Sequence, residues 1–372
     1  QLADVLYGKL ALPTLGIKKG KTGYSTGQKE LDKLRGQHPV VELVEQWREV
    51  TKLQNTYVEA LPKLIDKKSR LHTDFRQDVA ATGRLSSADP NLQNIPVRSE
   101  LGRKIREAFV PAKGHVFVSA DYSQFELRLA AVLAGDKEMI KDFNSDIDIH
   151  TKTASDVYGI PLDEVTKSQR RDAKVINFRV LYGMSPHGLS QATGMSFLDA
   201  KAFIDEYFRL RAPIRKYIDA TIAKAKNDGY VETYFGRRRP TPEVKSSNFM
   251  VRAAGERQAA NMPIQGTEAD LMKMAMLKVE EKLASAAVHS GVQNVEKNDV
   301  LPAGSRASRS TTPEAPVGVQ VLQIHDSILI ECPEKNADVV SKLLVDVMEN
   351  IYPELGIKLK VDVSVGKNWG EV

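Results

Sequence analysis

The chain has 372 residues, 42% of them hydrophobic and 27% charged, and a net charge of +5. That length and apolar content predict two or three globular domains and exclude wholesale disorder. No run approaches 18 uninterrupted apolar residues, so no membrane-spanning helix is expected. Cys332 is the only cysteine, which excludes an intrachain disulfide and a thiolate zinc site and suits a reducing, cytoplasmic compartment. The positive balance leans mildly toward polyanions without naming one. The opening Gln1-Leu2-Ala3-Asp4 lacks both an initiator Met and a signal-peptide pattern, so the chain is expected to begin inside a larger protein.

Residues 1–70 read as helical, with Leu43, Trp47, Val50, Leu53, Tyr57, Leu61 and Leu64 at helical spacing across 32–67. Residues 16–27 form a basic, glycine-rich loop, and 82–98 (TGRLSSADPNLQNIPVR) an ordered but irregular one. Residues 116–120 make a short apolar run ending at Asp121, and a helical pattern follows until Gly135. The chain then looks mainly helical to about Gln265. Residues 285–318, rich in Ser, Ala, Pro and Thr, read as a flexible insertion. Residues 319–331 alternate about His325-Asp326-Ser327 and predict a hairpin. An amphipathic helix over 337–351 and a final strand over 359–365 complete the chain.

Five constellations could carry chemistry. Asp121 sits where a buried strand yields to a helix, a rigid place to hold a metal, although an Asp there is also a helix N-cap. Asp326 sits at a hairpin tip, where a turn Asp is the plain alternative. Two such carboxylates on adjacent strands would make a two-metal site suited to Mg²⁺. Arg170, Lys174, Phe178 and Tyr182 recur every four residues, a helical stripe about 18 Å long that would meet phosphates first and then a sugar and base. The alternative is a surface helix with snorkelling cations. Gly236 with Arg237, Arg238 and Arg239 is either a phosphate grip or a solvated turn. Arg257, Asn261 and Gln265 could contact base edges in a minor groove or simply face solvent, with Pro263 expected to kink their helix. His150 could donate to a phosphate. No GxxxxGK[ST] or GxGxxG is present.

The order of these motifs is more specific than any one of them. TGRLSSADPNLQNIPVR, DYSQFELRLAA, RRDAKVINFRVLYGMSPHGL, FGRRR, ERQAANMPIQGTEAD and LQIHDSILIE succeed one another, and the chain resembles the family A DNA polymerases from about residue 2 to residue 372. The resemblance implies an α+β right hand with an antiparallel-sheet palm, helical fingers and a partial helical thumb. It places the thumb at 1–70, the palm at 71–131 and 267–372, and the fingers at 132–266. It implies template-directed addition of dNTPs to a primer 3′-hydroxyl, with pyrophosphate release and without proofreading in this chain. Asp121, Asp326 and the backbone carbonyl of Tyr122 would hold two Mg²⁺ ions, with Mn²⁺ able to substitute. Arg170, Lys174, Phe178, Tyr182, His150, Gln124 and Glu126 would bind the dNTP, with Lys174 also a proton donor and Glu126 the steric gate against a 2′-hydroxyl. Arg84, Asn94, Arg257, Asn261, Gln265 and His325 would contact primer-template DNA. A monomer with no membrane partner is expected.

Three positions depart from the family pattern. Ser327 follows His-Asp where Glu is usual, Arg179 follows Phe178 where Gly is usual, and Phe125 replaces a usual Ile. These bear on rate and fidelity; Phe125 in particular could alter base-pair shape checking. A non-catalytic primer-template-binding fragment and a single-subunit RNA polymerase are the competing readings.

Overall fold

The strand His115–Tyr122 buries residues on both faces, with Val116, Phe117, Val118, Ala120 and Tyr122 all inside. A strand covered on both sides reads as an apolar run rather than an alternation. It lies inside a four-stranded antiparallel sheet in the order Val361–Gly366, His115–Tyr122, Ser327–Pro333, Val319–Ile324. The computed structural model describes residues 1–97, 99–180, 182–290 and 316–372. It has an α+β fold, rich in helices with small antiparallel sheets. The chain divides into two units, Gln1–Asp74 with Asp89–Arg106, and Phe75–Ala88 with Glu107–Val372.

In the first unit the helical pattern over 32–67 is broken. Gln28–Leu34 and Pro39–Leu53 are separate helices, followed by a wider turn at Gln54–Val58 and a tighter one at Leu61–Lys63. The break has a local cause. Pro39 has no N–H to give and opens the second helix, while His38 Nδ1 caps it by accepting from the Val40 N–H at 3.1 Å. Of the expected stripe, Leu53, Tyr57 and Leu61 are buried, whereas Leu43, Trp47, Val50 and Leu64 are exposed. The loop at 16–27 holds two short paired strands, Lys19–Gly20 and Gly23–Tyr24.

In the second unit Ala337–Glu349 packs on the sheet, and its buried Val340, Leu344, Val347 and Met348 sit at helical spacing. Phe125–Ala134 ends at Gly135, which takes the left-handed C-cap conformation at φ +64°. The helices Lys137–Asn144, Ile149–Tyr158, Lys167–Val180, Pro186–Thr193, Phe197–Leu210 and Ala212–Asp228 follow. One core joins the sheet to these helices through Val118, Leu129, Ile176, Leu271, Ile330 and Leu344.

The helix Phe249–Ser290 runs 42 residues with Pro263 inside it. The helix is thus continuous through Pro263, where a kink is expected. Met262 and Ile264 on either side are buried in apolar clusters, and burial of about 1.5–3 kcal/mol per large side chain offsets one lost hydrogen bond. The same helix corrects the limits of the insertion. Residues 285–290 are helical, Val317 is buried, and a Cβ on Gly318 would lie 2.8 Å from Ile330 Cγ2. Residues 291–315 lie outside the described residues.

Candidate active site

The ladder of the sheet brings the two aspartates together. Asp121 is paired in register with Ser327 across neighbouring strands, and the Tyr122 N–H donates to the Asp326 carbonyl at 3.1 Å. Asp326 and His325 form the two-residue connection between Val319–Ile324 and Ser327–Pro333. His325 takes φ +55°, the left-handed conformation that tight hairpin connections favour. Its carbonyl accepts from Gln323 Nε2 at 2.6 Å, and Ser327 Oγ donates to the Ile324 carbonyl at 2.9 Å. The hydroxyl that stands where a carboxylate was expected is therefore spent on the turn.

The Asp121 and Asp326 side chains hydrogen-bond to each other. Burial and the adjacent Asp326 charge push the Asp121 carboxyl up to about 7, and Asp362, its register partner on the other neighbouring strand, adds to the effect. Burial also raises Asp326. A carboxylate whose ionisation is opposed by burial and by a neighbouring carboxylate forms part of a site that a cation would complete. Among the described residues no set of three or more His, Cys, Asp and Glu side chains forms a metal cluster. A pair of carboxylates fits Mg²⁺, which keeps waters and substrate phosphates as its other ligands.

The turn after this strand positions the next group. Gln124 takes φ +56° and redirects the chain into Phe125–Ala134. The Ser123 N–H donates to the Lys360 carbonyl at 2.8 Å, and the buried Arg128 donates from Nε to the Ser123 carbonyl at 3.0 Å. The Tyr122 ring is buried, with its hydroxyl on the Met348 carbonyl at 2.8 Å. Phe125 stacks on that ring at 4.1 Å between centroids and is itself buried. It fills the core beside the end of the Asp121 strand.

Glu126 points into a polar network. Arg84 Nη2 donates to Glu126 Oε1 at 2.9 Å and to both oxygens of Glu268 at 2.7 and 2.8 Å. The Tyr182 hydroxyl donates to Glu126 Oε2 and accepts from Gln265 Nε2 at 3.1 Å. Burial and the Glu126 charge raise the Tyr182 phenol, which stays protonated as this donor role requires. Two glycines permit these approaches. A Cβ on Gly266 would lie 2.4 Å from Thr233 Cγ2, so only glycine lets the long helix pass there. Gly183 takes φ +67°, and a Cβ there would meet Arg257 Cγ at 2.8 Å. Arg257 is exposed, whereas Asn261 Oδ1 and Arg84 Nε are buried without a hydrogen-bond partner among the described residues.

The Arg170 to Tyr182 stripe is only partly helical. Arg170, Lys174 and Phe178 lie on Lys167–Val180, but Tyr182 follows its end, with its N–H on the Arg179 carbonyl at 3.1 Å. Glu126 and Gln265 hold it there instead. Lys174 is exposed, its Nζ 6.0 Å from the Phe178 ring centre. Arg179 is exposed on the same helix. Arg170 clasps Asp148 through Nε at 2.6 Å and Nη2 at 3.3 Å. Burial opposes ionisation of Asp148, but hydrogen bonds from Arg170 and Thr151 outweigh it and bring the carboxyl to about 2.

His150 is 2% exposed and packs at 5.6 Å from Phe178. Burial, with the nearby Arg170 and Lys174 charges, lowers its imidazole to about 4, so it is neutral at pH 7. Asn177 Nδ2 lies 3.1 Å from its Nδ1. An amide nitrogen can only donate, so the ring hydrogen is assigned to Nε2.

Not every expected residue joins this site. Asn94 belongs to the first unit, where it is exposed and its carbonyl accepts from the Tyr57 hydroxyl at 2.7 Å. The arginine triplet is engaged within the protein. Arg237 pairs with Asp270 at 2.7 Å, Arg238 with Glu232 at 3.3 Å, and Arg239 bonds Gln258 at 3.0 Å. Sequence reasoning missed Asp148, Asn177 and Glu268. Asp148 is the side-chain N-cap of Ile149–Tyr158, a signal readable in Asp-Ile-His. Asn177, a weak helix former inside an apolar stretch, was a fainter one.

A four-stranded antiparallel sheet thus carries the paired carboxylates at its strand ends, and the helix Lys167–Val180 carries Arg170 and Lys174. The model of the family described as DNA polymerase family A matches residues 1–371, and the chain belongs to that family. It is 45% identical over 371 residues to a thermostable DNA polymerase I of Thermus aquaticus, covering 99% of this chain and 41% of that protein. It is 42% identical to DNA polymerase I of Bacillus subtilis, with 99% and 39% covered. The chain thus spans about two-fifths of the length of these relatives. A solved structure, the POL domain of Pol1 from M. smegmatis in complex with DNA primer-template and dNTP, superposes with a TM-score of 0.84 at 38% identity, covering 100% of this chain and 60% of that one.

Proposed function

We propose that this chain is a template-directed DNA polymerase that joins a dNTP to a primer 3′-hydroxyl. The observation that carries the reading is the Asp121–Asp326 pair, two carboxylates held side by side by a strand ladder and both raised by burial. In the reaction the 3′-oxygen bonds to the α-phosphorus, the bond from that phosphorus to the bridging oxygen breaks, and pyrophosphate leaves. Two Mg²⁺ ions, or Mn²⁺ in their place, would be held by Asp121, Asp326 and the Tyr122 carbonyl. When bound they supply Lewis-acid stabilisation of charge on the phosphoryl oxygens.

The protein's own groups do the rest. Arg170 offers a planar fork to phosphate oxygens, and Lys174 a point charge and a proton for the departing pyrophosphate. His150, with hydrogen on Nε2, is a neutral donor behind them. Phe178 packs on the sugar, Tyr182 closes the templating side, and Gln124 and Glu126 line the nucleotide. Glu126 fills the space of a 2′-hydroxyl. Arg84, Arg257, Asn261, Gln265 and His325 meet primer-template DNA, and the unpartnered Arg84 Nε and Asn261 Oδ1 are groups a base edge would satisfy. Asn94 is assigned to primer-template contact as well. We assign 1–70 to a partial thumb, 71–131 and 267–372 to the palm, and 132–266 to the fingers, acting as a monomer, with no proofreading by these residues.

Primer extension on a primed DNA template with Mg²⁺ and four dNTPs tests the reading. Extension should occur and fall by at least about a hundredfold in Asp326→Ala, the scale of losing a group aimed at transition-state charge. Absence of extension with primer-template binding intact would favour a binding fragment, for which Ser327 is the specific ground. Preference for rNTPs would instead indicate an RNA polymerase.

A further inference from the structure

Glu268 has no part in the mechanism above, yet it is the most deeply buried carboxylate near the site, 1% exposed on the long helix Phe249–Ser290. Both its oxygens accept from Arg84 Nη2, at 2.7 and 2.8 Å. The same nitrogen donates to Glu126 at 2.9 Å. Glu126 accepts from Tyr182, and Tyr182 accepts from Gln265. Gln265 and Glu268 stand three apart on one helix and so share a face. The five side chains therefore make a closed circuit that leaves the long helix at Glu268 and returns to it at Gln265.

The circuit has a consequence for sugar selection. Arg84 is gripped by one corner, and its Nε keeps an uncommitted hydrogen. Its Nη2 is shared between a carboxylate fixed in the core and one at the nucleotide. Without Glu268, Glu126 would be the only carboxylate accepting from Arg84 among these contacts, and the guanidinium would lose its rigid anchor. Glu126 would then be held only by Tyr182 and by an arginine free to change rotamer. A gate works by occupying a fixed volume, so loosening its backing widens the space it closes.

We infer that Glu268 is a positioning residue for nucleotide selection, holding Arg84, and through it Glu126, against Tyr182. Burial raises the Glu268 carboxyl while Arg84 opposes the rise, as expected for a carboxylate kept in place by one cation. The inference rests on the polymerase reading and on the gate role of Glu126.

The test is single-nucleotide incorporation of a dNTP and its matching rNTP by the full chain, with kcat and KM read separately. Four variants are compared: Glu268→Ala, Glu268→Gln, Arg84→Ala and the double change Arg84→Ala with Glu268→Ala. Glu268→Ala should lower dNTP-over-rNTP discrimination about tenfold, chiefly through a lower KM for the rNTP. Glu268→Gln keeps the volume and one acceptor, and should recover most of the loss. In the Arg84→Ala background the Glu268→Ala change should add nothing, because its effect travels through Arg84. A wild type that incorporates neither nucleotide defeats the polymerase reading. A wild type that discriminates, with discrimination unchanged in Glu268→Ala or reduced equally in both Arg84 backgrounds, overturns the positioning role. Should Glu268→Ala not fold, Glu268→Gln decides. A loss of about threefold that disappears with Arg84→Ala supports the role, and wild-type discrimination contradicts it.

Discussion

The carboxylate pair at the strand ends and the cationic cluster on the helix Lys167–Val180 are built on opposite electrostatic plans. Asp121 and Asp326 are carboxylates brought together by backbone pairing, both raised by burial, with the Asp326 charge raising Asp121 further. Arg170 and Asp148 are opposite charges already satisfied by each other, with Asp148 brought to about 2. The first region stores unfavourable charge that a cation relieves on arrival. The second has its charge committed, so on the proposed reading a triphosphate would compete with Asp148 for the guanidinium. Binding at the first site adds an interaction, whereas binding at the second exchanges one for another. A phosphate grip by Arg170 would accordingly be adjustable from Asp148, which touches no substrate in the proposed mechanism.

The contrast can be broken at Arg170. Arg170→Ala should raise the dNTP KM by about 10- to 100-fold, the worth of a charge-assisted fork to phosphate, with a smaller change in kcat; steady-state kinetics on primed template reads both. A subtler change sharpens it. Asp148→Asn keeps a good helix cap while removing the competing charge, so the dNTP KM should fall about two- to fivefold. An unchanged or higher KM would mean that Asp148 orients Arg170 rather than competing for it.

Acid stability separates the two residues that flank Ile149. His150 has its pKa lowered from 6.5 to about 4 by burial, so the unfolded chain binds a proton in that window that the folded chain does not. Its contribution is complete above pH 6.5 and is lost as pH falls toward 4, about 3 kcal/mol in all. Asp148, lowered from 3.8 to about 2, contributes fully above 3.8 and loses that contribution only as pH falls toward 2. Denaturant melts between pH 7 and 4.5 should therefore flatten in His150→Gln and keep their slope in Asp148→Asn. The smallest expected effect is at Gly183, where φ +67° and the overlying Arg257 leave no room for a Cβ. Gly183→Ala should cost about 1–2 kcal/mol, read as a lower denaturation midpoint.

Much of the site was legible in the chain because its strongest parts are local. The hairpin about His325-Asp326, the apolar run into Asp121 and the helix stopped at Gly135 each depend on neighbours within a few residues. The failures share a different cause. Tyr182 fits a four-residue spacing but leaves the helix, because Glu126 and Gln265, distant in sequence, hold it. The arginine triplet has the composition of a phosphate grip, and Asp270, Glu232 and Gln258 engage it first. Glu268 was invisible because its meaning is a contact with Arg84, 184 positions away in the chain. Periodicity registers which face a residue occupies, but not which distant charge waits there.

The most direct measurement is incorporation of one matched dNTP onto a labelled primer at graded Mg²⁺, by the wild-type chain and by Asp121→Asn, with primer-template affinity measured alongside. The account predicts Mg²⁺-dependent incorporation by the wild type, loss of it on chelation, and a fall of at least about a hundredfold in Asp121→Asn at unchanged DNA affinity. Incorporation by Asp121→Asn at the wild-type rate, or a wild type indifferent to chelation, would contradict it.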